Sequence, residues 1–192
     1  MKNLLRIVTL MAVVLSVGFT TGCKEDEIYS HRYPCRFHFY YQMHPTSLLF
    51  AAYRSPGSYV YAYQEMKQDP ERGIMFRYIC VQSNDGKTPV ERNRIETQVE
   101  TNVPYVLGAN NEIGLIIGCT NFNGPVAYDR ICPNCNGYFP LTWTATNRQR
   151  VECKNCKRMY DLETATIVEG KSGDGLLRYK ISFDEVRLNV SN

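Results

Sequence analysis

Two Cys-x-x-Cys pairs carry the clearest chemistry in this chain: Cys132-Pro-Asn-Cys135 and, after seventeen intervening residues, Cys153-Lys-Asn-Cys156. A tight turn lets both thiolates of one pair face the same atom. Two such knuckles brought together make a tetrahedral set of four sulfurs, a donor set that suits zinc or iron. Pro133, Asn134, Lys154 and Asn155 are turn-prone, and Gly137 lies just after the first knuckle. Spacing this regular argues against chance clustering. Two other readings stay open: disulfide bonds, which persist outside the cytosol, and a site that keeps its cysteines but binds nothing. Lys154, Lys157 and Arg158 cluster at the second knuckle. They read either as a solvated loop or as an offset to the charge of −2 that four thiolates leave around a divalent ion.

The elements that must position these cysteines read as strands. Phe37, Phe39 and Tyr41 alternate with His38 and Tyr40, and Tyr59, Tyr61 and Tyr63 alternate with Val60 and Ala62 after the turn Ser55-Pro56-Gly57-Ser58. Residues 76–81 form another short apolar run, and Ile113 to Cys119 is a continuous one, as in a strand buried on both faces. Asn123-Gly124 marks a hairpin into Val126–Asp129, which delivers the chain to Cys132. A weaker hairpin, 141–146 and 150–152, lies between the knuckles, and strands at 159–162, 166–168, 176–182 and 186–190 complete the chain. Residues 46–53 read as a short helix or a loop, 64–73 and 85–94 as surface loops, and 95–99 as a strand of mixed polarity. The expected class is therefore all-β, with the knuckles on hairpin tips.

The N-terminus has the pattern of an export signal. Lys2 and Arg6 precede the apolar run Ile7–Phe19, which is short for a membrane span, and Thr20-Thr21-Gly22-Cys23 comes next. This resembles a bacterial lipoprotein signal, in which residues 1–22 are removed and Cys23 carries the lipid. Lys24-Glu25-Asp26-Glu27 resembles the acidic export signal of Bacteroidetes-type lipoproteins sent to the cell surface. The resemblance implies an outer-membrane location, a membrane partner through the N-terminal lipid, and a solvated acidic tether over residues 23–32. Residues 33–192 then make one domain, large enough for a core of its own. Two of the 22 basic residues and none of the 19 acidic ones lie in 1–22, so the remainder has a formal charge of +1. No basic face suggests nucleic-acid binding.

The second half resembles a Rieske-type domain. Ile113-Gly-Leu-Ile-Ile-Gly, Asn123-Gly124, Val126-Ala-Tyr-Asp129 and Cys132-Pro133 match the approach to the first ligand loop of that family. Cys153-Lys-Asn-Cys156 matches the second loop, and Tyr160-Asp161-Leu162, Val168-Glu-Gly170 and Leu177-Arg-Tyr179 match the strands and turn beyond it. The likeness covers about 113–192 and extends more weakly to the hairpin at 56–61. It implies an antiparallel β-sandwich carrying a rubredoxin- or zinc-ribbon-like metal subdomain at about 130–160. Rieske clusters use two cysteines and two histidines. Here Asn134 and Cys156 stand at the histidine positions, Cys135 comes one residue late, and His31, His38 and His44 all lie far upstream. Four cysteines then suit zinc as a closed structural site, a single iron, or an all-cysteine [2Fe–2S] cluster, with zinc favoured by the ribbon spacing.

Cys35, Cys80 and Cys119 remain. Cys80 and Cys119 lie in apolar runs, where a buried inert thiol is the default, and a disulfide between two of the three is the alternative. The chain has no nucleophile elbow and no His-Glu-x-x-His, and no room for the separate catalytic domain of a Rieske oxygenase, so enzymatic activity is not expected. Two functions remain in view: a surface lipoprotein whose metal-pinned domain serves binding or assembly, or an electron carrier with iron at the same cysteines.

Overall fold

The structure is a computed structural model that describes residues 28–192. Among the described residues, strand makes up 42% and helix 7%. The strands are β1 (Arg36–Tyr40), β2 (Tyr59–Gln68), β3 (Met75–Ser83), β4 (Glu91–Ile95), β5 (Leu115–Thr120), β6 (Gly124–Asp129), β7 (Leu141–Trp143), β8 (Arg150–Cys153), β9 (Met159–Asp161), β10 (Ile167–Glu169), β11 (Arg178–Phe183) and β12 (Arg187–Ser191). Two short helices among the described residues, α1 (Leu48–Arg54) and α2 (Gln98–Thr101), complete the set. Eight strands form one curled antiparallel sheet in the order β1-β12-β11-β6-β5-β2-β3-β4, and four form a small one, β10-β9-β8-β7. The all-β expectation therefore holds.

The small sheet is inserted between β6 and β11, which pair with each other in the large sheet through Tyr128–Arg178 and Ala127–Tyr179. The central strands are buried on both faces because each face has its own cover. Val60, Ala62, Leu115, Ile117 and Ala127 point into one core with Phe37, Phe39, Leu49 and Phe50. Tyr59, Tyr61, Ile116, Val126 and Tyr128 point the other way, into a second core shared with the small sheet. This is the period-2 alternation of a strand, with both sets apolar.

Three local readings change. Of the charged stretch expected to be a loop at 64–73, residues 64–68 are a hairpin arm, since β2 continues to Gln68, paired with Met75, with only its end exposed, and 69–73 form the turn. Residues 91–94, also expected to lie in a loop, belong with Ile95 to the edge strand β4, whose Glu-Arg-Asn-Arg composition suits an edge that must resist pairing with another chain. After Ile95 the chain turns into α2 instead of continuing as a strand. Thr97 and Glu100 close a capping box there.

Candidate metal centre

The first knuckle hangs between the two sheets. Arg130 and Leu141 clamp its base, with Leu141 N donating to Arg130 O at 2.7 Å, and Cys132 N donates to Phe139 O at 2.9 Å. Asp129, at the end of β6, accepts from Ile131 N at 3.0 Å and so fixes the entry to Cys132. The second knuckle is the tip of the β8–β9 hairpin. Cys153 N donates to Arg158 O at 2.9 Å and Lys157 N to Cys153 O at 2.8 Å, a turn tight enough to hold Lys157 at φ 59. Non-glycine residues seldom adopt that left-handed conformation.

All four cysteine sulfurs lie within 4.8 Å of one another. Cys132 Sγ is 3.6 Å from Cys156 Sγ, and Cys135 Sγ is 3.7 Å from Cys153 Sγ. A tetrahedron with metal–sulfur bonds of about 2.3 Å has edges of about 3.8 Å. These two cross-knuckle pairs thus already stand near the spacing one ion needs, and the other pairs lie within 4.8 Å. They are well outside the roughly 2.05 Å of a disulfide bond, and every cysteine among the described residues is free. Cys132, Cys135 and Cys153 are buried in the second core, and Cys156 sits half-buried at its rim.

Polar groups support the sulfurs. The Tyr160 hydroxyl lies 3.3 Å from Cys132 Sγ, and the Asn155 amide donates to Cys135 Sγ at 3.3 Å. Burial pushes the Cys132 and Cys153 thiols up. Burial also opposes the charge on Cys156, but the Arg158 guanidinium and backbone N–H, with the neighbouring thiols, outweigh it and bring the group down to about 6. Thiols bind a metal as thiolates, so an ion taken up here would displace the protons they still carry. Of the three basic residues at this knuckle, Arg158 engages Cys156, while Lys154 and Lys157 are exposed.

A loop closes over the knuckles. Asn134 donates to Asp174 O at 2.7 Å and to the Tyr160 hydroxyl at 3.0 Å, and accepts from Asp174 N at 2.8 Å. Arg158 donates to Lys171 O and Ser172 O. Gly173 lies so close to Asn134 that a Cβ there would overlap its amide. Asn134 is thus committed to tying the loop down, and Cys135, one residue later, is the residue of this turn that could offer a ligand atom. Sequence reasoning named Tyr160 and Asn155 and read a loop at 170–175, but gave none of them a part in supporting the sulfurs. Only the position of Tyr160 on β9, with Met159 and Asp161 less buried on either side, signals that it points inward.

The remaining residues of interest lie elsewhere. Cys23, Lys24, Glu25, Asp26 and Glu27 fall outside the described residues. His31 is exposed, His38 is buried on β1 against Tyr105, and His44 bonds Glu100 at 2.8 Å; none belongs to the four-cysteine group. Burial pushes the Cys35 and Cys80 thiols up to about 12 and also raises Cys119. These are inert buried thiols. No described helix is long and apolar enough to cross a membrane. Comparisons with protein-family models, curated proteins and solved structures find no match to this chain.

Proposed function

We propose that this chain is a lipid-anchored protein of the cell envelope, displayed on the outer membrane, whose Rieske-like domain is held together by one structural zinc ion and serves binding or assembly. The observation that carries the metal reading is the 3.6 and 3.7 Å spacing of cross-knuckle sulfurs, close to the edge of a one-ion tetrahedron. Four protein thiolates leave no open position on zinc and hence no Lewis-acid chemistry. A two-iron cluster needs its cysteine pairs on opposite irons, spread by the width of the bridged core. Four sulfurs within 4.8 Å of one another surround a single point and favour one ion. The Rieske-like reading is supported by the place of the small sheet, inserted between paired strands of a larger antiparallel sheet. The lipid anchor rests on the sequence around Cys23.

A second reading has an observation of its own. Hydrogen bonds to cluster sulfurs set the potential of iron sites, and Tyr160 and Asn155 stand in position to make them. Elemental analysis and a visible spectrum of the full chain, purified without oxygen, separate the two. One zinc per chain and a colourless solution are expected. One iron with visible absorption turns the reading to electron transfer, and absence of metal with the four thiols paired overturns both.

A further inference from the structure

The segment that leads from the N-terminus into β1 is fastened to the metal end of the domain. Ser30 N donates to Arg178 O at 2.7 Å, at the start of β11 directly after the loop that closes the site. The Arg178 guanidinium lies over the Tyr29 ring. The Arg32 guanidinium donates to Pro133 O at 2.7 Å, inside the first knuckle itself. The chain therefore enters the described domain beside Cys132.

From this we infer that the metal end faces the membrane, with Tyr138 and Phe139 seated at headgroup level. The inference rests on the lipid-anchor reading of Cys23. Five residue steps separate Cys23 from Ile28 and span at most about 18 Å. A domain of this size is about 40 Å across, so the anchor cannot let the far end approach the bilayer while the metal end points away. The surface next to the entry suits that contact. Tyr138 is 57% and Phe139 38% exposed, both on the loop of the first knuckle, and Phe139 O is bonded to Cys132 N. Aromatic rings of this kind settle at membrane interfaces. Lys154 and Lys157, exposed on the neighbouring knuckle, add attraction to anionic lipid.

The opposite end provides the control. Phe122, 89% exposed, tops the β5–β6 hairpin, a full strand length of about 20 Å from Asp129. Glu163 holds that tip by accepting from Asn121 N and Phe122 N. Its ring is as apolar as those of the first knuckle but lies at the wrong pole.

The test uses the full-length, membrane-expressed chain carrying Tyr138→Trp or Phe122→Trp. Each is reconstituted in phosphatidylglycerol vesicles with bromine in the upper acyl chains, and the emission of native Trp143 in the unsubstituted chain is subtracted. Both substitutions fall on exposed rings, and unchanged metal content checks that each variant folds. The expected result is that Tyr138→Trp loses at least about half of its added fluorescence while Phe122→Trp keeps nearly all of it. Equal emission from both in membrane-bound protein, or quenching at position 122 alone, overturns the orientation and leaves the anchor intact. Protein that stays in the aqueous phase on detergent partition, with an unmodified Cys23 by mass spectrometry, overturns the anchor and the orientation with it.

Discussion

The two sheets solve the same problem by different means. The large sheet has central strands of six to ten residues and encloses a core that includes Phe37, Phe39, Leu49, Val60, Leu115, Ile117 and Val190, all at most 3% exposed. The small sheet has strands of three or four residues. One of its faces is buried, through Leu141, Val151, Tyr160 and Leu162, and the cysteines continue that face to the knuckle end. Short strands fix many backbone dihedrals for little buried area. Where area is short, an ion held by the four cysteines would supply folding free energy instead. The contrast teaches that the cysteines are structural neighbours of the second core as much as a site added to it.

The strongest way to break this contrast is to remove a ligand. Cys153→Ser is expected to abolish metal binding and cost at least several kcal/mol, since apparent binding energies of structural zinc in small domains reach roughly 10–16 kcal/mol. Hydrogen exchange should show amides of β7–β10 losing protection while those of β2, β5 and β6 retain most of theirs. Uniform loss across both sheets would mean that the chain unfolds as one unit and that the contrast between the sheets is false. The converse change is Leu115→Ala in the large core, where the side chain is fully buried. It is expected to cost about 2–5 kcal/mol and lower the melting temperature, with metal content unchanged. Metal loss in that variant would show that the large sheet, not the local turns, assembles the knuckles.

A smaller change reads the seam between the sheets. The Tyr128 hydroxyl, on the large sheet, donates to Leu162 O at 3.0 Å, just beyond β9 of the small one. Tyr128→Phe keeps the packing and leaves that carbonyl without its donor, at an expected cost of about 1–3 kcal/mol. If the sheets melt separately, calorimetry should show the small-sheet transition shifting further than the large one. Equal shifts would place the seam inside a single cooperative unit.

Legibility in the sequence divides along the same line. The four cysteines announce themselves by spacing alone, because the turn that brings two thiolates together needs only four residues. Strands whose two faces are both apolar, such as Ile113 to Cys119, are equally plain. The hairpin arm beyond Gln64 and the edge strand β4 were not, because both are charged for the reason that edges and exposed arms must be, and charge reads as loop. The contacts that complete the site were hidden for another reason. Arg32 meets Pro133 and Asn134 meets Asp174 across long stretches of chain, and no local pattern encodes such pairs.

The smallest expected effect concerns pH and the large-sheet side alone. Glu100, the third residue of α2, is 2% exposed. Burial opposes its charge, but the Thr97 hydroxyl and backbone N–H and the His44 imidazole outweigh burial and hold the carboxyl below its ordinary range. A carboxyl lowered by folding binds its proton more tightly in the unfolded chain, where it titrates near about 4.3. Its stabilisation is therefore complete above that value and disappears as the pH falls through the lower, folded one. Glu100→Gln should cost about 1 kcal/mol at neutral pH, in the range of a lost cap. Its melting difference from the native chain should shrink as the pH drops below about 4. A bound metal would complicate that range, because acid would also protonate the thiolates and release the ion. The comparison is made in the Cys153→Ser background, where no ion remains to be lost. A difference that persists unchanged at low pH would show that Glu100 acts through packing and not through its charge.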